Sequence, residues 1–147
     1  MIKAAIFDMD GVVVDNHKFH FEAWIAFSQK YKFPLDAKIY REKYNGKTNA
    51  DLFSMIFGKI DQAKMKQFAE EKEGLYKKLY SQHMRAHTGL LDFLDYLKKQ
   101  RIKIALGTSA PTSNVDFTLD GLNLRKYFEV IVDGEEVERG KPDPQVY

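Results

Sequence analysis

The sequence predicts an α/β protein: a small parallel sheet with helices on its faces, interrupted after its first strand by an all-helical module. Three observations predict it. Apolar runs at residues 2–7, 102–106 and 127–132 are separated by segments with helical spacing, and strands alternating with helices argue for parallel pairing. The first run ends in Asp8-Met9-Asp10-Gly11 and the second in Gly107-Thr108-Ser109, polar loops of the kind that open at a strand's C-terminal end. Residues 16–85 are helical in pattern and too long for one crossover, so they read as an insertion. The expected division is therefore a sheet-containing core of residues 1–15 and 86–147 and a helical domain of residues 16–85. Connections at 14–16 and 84–87 would act together as a hinge.

Each element has its own local reason. Residues 2–7 are apolar apart from Lys3 and read as a buried strand. Phe19, Ala23, Ala26 and Phe27, with Trp24 beside them, follow helical spacing to about Tyr31, and Pro34 ends that helix. A short helix at 37–44 follows, then a break at Asn45-Gly46. Residues 50–57 are helical, with Thr48 or Asn49 as N-cap. Residues 62–83, rich in Lys, Glu, Gln, Met and Ala, read as a helix with one wet face.

After His87-Thr88-Gly89, the residues Leu90, Leu91, Phe93, Leu94 and Leu97 make an amphipathic helix that ends in Lys98-Lys99. The strand at 102–106, a helix at about 113–122, the strand at 127–132 and the loop Gly140-Lys141-Pro142-Asp143-Pro144 complete the chain. Asp143-Pro144 has the form of an N-cap followed by proline at the first helical position. A helix needs several more residues to pass its nucleation cost, and three strands make a thin sheet, so the sequence is expected to be incomplete.

Composition narrows the function. The 147 residues suit one ordinary domain rather than two independent ones, and 44% hydrophobic with 14% aromatic residues supports a real core. A net charge of +2, from 23 basic and 21 acidic residues mixed along the chain, gives no footprint for nucleic acid. With no cysteine, a disulfide framework and a thiolate zinc site are both excluded. Asp8 interrupts an N-terminal apolar run too short for a signal peptide, and nothing approaches the roughly 20 apolar residues of a membrane span, so a cytoplasmic protein is expected. The GxxxxGK[ST] pattern of Walker-type nucleotide sites is absent, and no internal repeat is visible.

Asp8 and Asp10 carry the chemistry. Two residues apart on an extended chain, their side chains project to one side about 6–7 Å apart, at ~3.3 Å per residue. With a turning glycine beside them at a strand mouth, they suit a divalent cation and a phosphate. One carboxylate can attack phosphorus while the other moves a proton. Alone, a DxDG sequence reads first as a calcium-type turn or a solvated loop.

The surroundings decide between these. Phe7-Asp8-Met9-Asp10-Gly11-Val12-Val13-Val14-Asp15 closely resembles the first signature of the haloacid dehalogenase-like superfamily. Ile104-Ala105-Leu106-Gly107-Thr108-Ser109 resembles its second signature, and Gly140-Lys141-Pro142-Asp143-Pro144 its third, in the family's order. The resemblance spans the chain. It implies a Rossmann-like core with a helical cap, Mg2+ as cofactor, Asp8 as nucleophile and Asp10 as general acid/base. Asp8 would give the metal a carboxylate oxygen and Asp10 its backbone carbonyl. Thr108 would hold a phosphoryl oxygen through its hydroxyl and a nearby backbone N–H, with Ser109 beside it, and Lys141 would neutralise charge between nucleophile and phosphate. The family's fourth, acidic motif has no counterpart in these residues: Asp133, Glu135 and Glu136 precede Lys141, in the wrong order. The polypeptide alone is therefore expected to show little or no phosphatase activity.

The insertion matches the family's cap, which closes over the site and selects the substrate. Phe19-His20-Phe21-Glu22-Ala23-Trp24 resembles the cap entry of the beta-phosphoglucomutase-like branch, which gives His20 a substrate-side role; it could instead merely pack or cap. Lys72 lines up with a cap lysine that binds a distal phosphate, or is an ordinary exposed lysine among acidic neighbours. Three residues after Gly46 that branch carries an arginine, where this chain has Asn49, which cannot supply a bidentate charged fork. Hydrolysis of a small sugar or related phosphomonoester is therefore favoured, with a sugar phosphate mutase as the alternative. A monomer is expected of the full-length protein, with no nucleic-acid or membrane partner. Two other classes remain: a silent fold that only binds a partner, and a phosphoacceptor receiver domain, whose acceptor lies on a later strand and which has no long helical insertion. The aromatics Phe19, Phe27, Phe53 and Phe57 read as core packing rather than a cofactor platform.

Overall fold

Strands β1 (Ala4–Phe7), β2 (Lys103–Gly107) and β3 (Val130–Val132) form one parallel sheet in the order β1-β2-β3, in a computed structural model that describes residues 2–147. The α/β class read from the sequence is the class observed. Register aligns Phe7 with Leu106 and Leu106 with Ile131, while Ile6, Ala105 and Val130 share the opposite face. On the first face Leu106 is buried and Phe7 meets Phe93 and Phe128 edge-on, at centroid distances of 6.1 and 6.3 Å. On the second, Ile6 is 49% and Val130 56% exposed. The first strand is thus not the buried strand its apolar composition suggested. An apolar run reports hydrophobicity, not whether both faces of a strand find neighbours.

By contacts the chain falls into two units, one built from the residues up to Asn16 with Met84–Tyr147, the other from His17–His83. In the first unit, parallel strands require crossovers, and two helices provide them. Helix α5 (Leu90–Lys99), numbered after the four helices of the other unit, buries Leu90, Leu94 and Leu97, one stripe at helical spacing. Helix α6 (Thr112–Gly121) joins β2 to β3 and buries Val115 and Leu119. The third strand is shorter than its apolar run: Arg125–Tyr127 forms a 3-10 turn, and Glu129 N–H reaches Ile104 O at 2.8 Å before regular pairing begins. Asp143 caps a second 3-10 turn, Pro144–Val146, with proline at its start as expected. The two segments that leave this unit run side by side, through an antiparallel Val14–Ala86 bridge and a His87 N–H to Val13 O bond of 3.0 Å.

The second unit is all helical. Helix α1 (His17–Tyr31) ends before Pro34, at Lys32 in a left-handed conformation with φ 57°. Helix α2 (Ala37–Ile39) runs on into a π-helical turn, Tyr40–Tyr44. Helix α3 (Asn49–Phe57) is capped by the Thr48 side chain, which accepts from Asp51 N–H; Asn49 is its first residue rather than its cap. Helix α4 (Gln62–Tyr80) is capped by Asp61 and stops before His83. Trp24, Phe27, Tyr40, Tyr44, Leu52, Phe53 and Phe68 form its core, so Phe27 and Phe53 pack as expected. Outside that cluster, Phe19 is tilted against Tyr80 at 5.0 Å and stacked on His83 at 5.2 Å.

Candidate active site

The first unit gathers its polar groups where β1 and β2 end. Because these strands are parallel, the residues just beyond them, Asp8 and Thr108, emerge at one sheet edge. Past Phe7 the chain turns sharply: Val12, Val13 and Val14 all point their N–H groups at Met9 O, and Gly11 takes φ 76° while donating to Val14 O at 2.8 Å. That left-handed position is open to glycine without a steric cost. Met9, Val13 and Val14 are buried, which anchors the turn from below.

Asp8 Oδ2 lies 3.1 Å from Lys141 Nζ, and Asp8 Oδ1 accepts the Met9 N–H at 2.8 Å. Lys141 Nζ also donates to Gly107 O at 3.1 Å, so one ammonium bridges the ends of β1 and β2. With the Lys141 side chain only 17% exposed, this charge sits in partial shelter, where an ion pair is screened less than at a surface. Asp10 Oδ1 accepts from Asn16 Nδ2 at 2.7 Å, which orients its carboxylate. Thr108 is almost fully buried; its N–H is bonded to Val132 O at 3.0 Å, and its Oγ1 accepts the Ala110 N–H at 3.1 Å. What Thr108 can donate is therefore its hydroxyl hydrogen, not its own N–H. Ser109 follows directly in the same turn.

The remaining sequence candidates lie in the helical unit. Lys72 Nζ is 3.1 Å from His20 Nδ1 and 2.9 Å from Glu73 Oε1, and Asn49 Nδ2 donates to the same Glu73 oxygen at 2.7 Å. His20 stacks on Tyr76 at 3.8 Å. Lys72 is only 3% exposed, so it is not the ordinary surface lysine of the second possibility weighed from the sequence. Gly46 sits in an exposed turn with φ 79°. Two residues that matter here were not singled out from the sequence, Glu73 and Asn16, and Asp133 was considered there only as a motif acid and set aside for its order. Asn16 follows the acid loop within six residues, which was the available signal; Glu73 carried none beyond its charge.

Among the described residues no three His, Cys, Asp or Glu side chains cluster as a metal cage. Asp8 and Asp10 offer oxygen donors alone, and each Asp8 oxygen keeps a lone pair beyond the bond it makes. Oxygen donors from one or two carboxylates, with phosphate oxygens and water completing the shell, are what Mg2+ accepts, so the donor set fits that ion.

The acid pair, the hydroxyl and the ammonium follow the C-terminal ends of parallel strands, where open α/β sheets bind their ligands, and this defines the chain as an α/β protein with a polar strand-end site. The sequence matches the family described as haloacid dehalogenase-like hydrolase over residues 5–147, and the chain belongs to that family of enzymes. It is 32% identical over 146 residues to the phosphorylated carbohydrates phosphatase of Thermotoga maritima, covering 99% of this chain and 68% of that protein. It is 29% identical to the chloroplastic 5-amino-6-(5-phospho-D-ribitylamino)uracil phosphatase of Arabidopsis thaliana, covering 97% of this chain and 39% of that one. The fold resembles the crystal structure of beta-phosphoglucomutase from Clostridium difficile, with a TM-score of 0.87 at 27% identity, covering 99% of this chain and 68% of that one. The chain thus spans between about two fifths and two thirds of the length of these relatives. Among the described residues no helix is long and apolar enough to cross a membrane.

Proposed function

We propose that this chain carries the catalytic core of a magnesium-dependent phosphohydrolase acting on a small sugar phosphate or related phosphomonoester, with Asp8 as nucleophile. The observation that carries it is the Asp8–Lys141 contact of 3.1 Å at the strand edge where Thr108 also emerges. An Asp8 carboxylate oxygen attacks phosphorus; the ester P–O bond breaks and the leaving oxygen takes a proton from Asp10. In the second half Asp10 takes a proton from water, water oxygen bonds to phosphorus, and Asp8 is released. Lys141 neutralises charge moving between carboxylate and phosphate, and Thr108 donates its hydroxyl to a phosphoryl oxygen. Bound at Asp8 and Asp10, Mg2+ would supply charge neutralisation between the attacking carboxylate and the phosphate.

Substrate choice is assigned to the helical unit, as a cap domain in which Asn49 is committed to Glu73 and does not replace an arginine fork. That favours a monophosphate with a neutral remainder over a bisphosphate. A mutase is the second reading, supported by the likeness to beta-phosphoglucomutase. Incubating the whole protein with magnesium and beta-glucose 1-phosphate separates the two: inorganic phosphate means hydrolase, isomerised sugar phosphate means mutase. In the same assay Asp8→Asn should lower turnover at least about a thousandfold, as expected for removal of a covalent nucleophile. Turnover within tenfold of wild type would show that Asp8 is not the nucleophile.

A further inference from the structure

Asp133 is a buried carboxylate that the proposed chemistry does not use, 5% exposed in the turn that follows β3. Its Oδ2 accepts from the Thr112 hydroxyl at 2.6 Å, its Oδ1 accepts the Glu135 N–H at 2.9 Å, and its own N–H donates to Glu136 Oε2 at 3.0 Å. Thr112 opens α6, immediately after the turn that holds Thr108 and Ser109, and Pro111 before it gives the helix no side-chain cap.

The same two segments meet at three more points. Thr108 N–H bonds Val132 O at 3.0 Å, and Gly134 N–H bonds Ala110 O at 2.9 Å. A Cβ on Gly134 would come within 2.4 Å of Ser109 O and 2.9 Å of Ser109 C, a distance no side chain tolerates against backbone. Turn 133–136 is therefore fitted against turn 108–110 closely enough to set its shape. Two carboxylates of turn 133–136 reach the start of α6, Asp133 at 2.6 Å and Glu135 at 2.9 Å from Thr112 Oγ1, and Asp133 is the shorter contact and also accepts the Glu135 N–H within its own turn.

We propose that Asp133 is a positioning residue for phosphate binding: by holding Thr112 and its own turn together, it fixes the path of residues 108–110 and so the aim of the Thr108 hydroxyl. The inference rests on the phosphate-binding role proposed above for Thr108. Its sign is distinctive. A carboxylate near a phosphate site should weaken anion binding through charge, so a charge effect and a positioning effect of Asp133 oppose each other.

The chemistry of substitution separates them. Asp133→Asn can keep every bond: its amide oxygen accepts the Glu135 N–H, its amide nitrogen donates to Thr112 Oγ1, and the Thr112 hydrogen turns to Glu135 Oε2, already 2.9 Å away. Asp133→Ala loses both ends, and Thr112→Val loses one of them. The test is the dissociation constant for inorganic phosphate, measured on the full chain with magnesium by titration calorimetry, with the unfolding midpoint of each variant as a control.

Asp133→Ala and Thr112→Val should each weaken phosphate about tenfold, the worth of one well-made hydrogen bond, and the double variant should be no weaker than the worse single. Asp133→Asn should stay within about threefold of wild type. If Asp133→Ala does not fold, Thr112→Val carries the test. Unchanged affinity in Asp133→Ala or Thr112→Val overturns the proposal, as does tighter, salt-dependent binding in Asp133→Asn, which would reveal a charge effect. Thr108→Ala and Lys141→Ala mark the site itself. If they weaken phosphate while Asp133→Ala does not, only this inference fails; if neither does, the phosphate site lies elsewhere and both readings fall.

Discussion

Adjacent residues in a helix point about 100° apart and do not normally meet, yet Lys72 and Glu73 of α4 form an ion pair at 2.9 Å. Burial explains it: at 3% and 5% exposure neither charge has water, so the flexible lysine stem curls to the nearest carboxylate and takes His20 as second partner. Glu73→Leu would leave the Lys72 ammonium buried beside His20 and the Trp24 and Tyr76 rings with no carboxylate partner, and should cost about 3 kcal/mol of stability. Lys72→Met combined with Glu73→Leu should recover most of that loss, because an apolar pair avoids the desolvation penalty altogether. Urea unfolding followed by Trp24 fluorescence measures both; a single variant as stable as wild type would show the pair holds nothing. At this scale the residues legible in the sequence were those set by local motif, Asp8, Asp10, Thr108 and Lys141, each placed by a strand end or a short loop. Glu73 was not, because its partners Lys72 and Asn49 are set by which side chains burial turns toward it; Asn16 was legible only as a neighbour of the acid loop, and Asp133 only as an acid in the wrong order.

Between elements, α1 and α4 are clasped at one end by Lys30 and Tyr31, which donate to Glu71 at 2.7 and 2.8 Å. Burial alone would raise the Glu71 pKa, but the hydrogen bonds from Lys30 and Tyr31 outweigh it and hold the carboxyl below its ordinary value of 4.5. A depressed carboxylate stabilises the fold fully above its unfolded pKa, and that contribution is lost as pH falls through the folded value. The stability gap between wild type and Glu71→Gln should therefore be constant above about pH 5 and shrink as the pH is taken down through about 4. Urea midpoints across that range check it, and a gap that widens toward acid would contradict the clasp. Helices were legible where spacing was strong, as in α1, α3 and α5. Ends were less so: α4 stops at Tyr80 rather than His83, and Tyr127 closes a 3-10 turn instead of opening β3. Apolar content alone could not tell a strand from the turn that leads into it, nor show that β1 would leave Ile6 half exposed.

For the molecule as a whole, the aromatic core of the helical unit is a built-in reporter. The chain has one tryptophan, Trp24, 2% exposed against Phe27, Tyr44 and Phe53 at 5.6, 5.3 and 5.5 Å. Phe27 is fully buried and touches Phe53 and Phe68 as well, both at 5.6 Å. Phe27→Ala should cost the fold about 3–5 kcal/mol through lost burial and a cavity, read as an earlier Trp24 fluorescence transition in urea. A shift below about 1 kcal/mol would mean that these rings do not pack as one core. The parallel sheet and its helical interruption were legible because strand runs and helical runs differ in length and period; the face of the sheet left open was not. Finally, the Val14–Ala86 bridge means that the excursion between them departs and returns at a single doorway. Whatever is threaded through that doorway can be lengthened, shortened or exchanged without rerouting the backbone that carries Asp8.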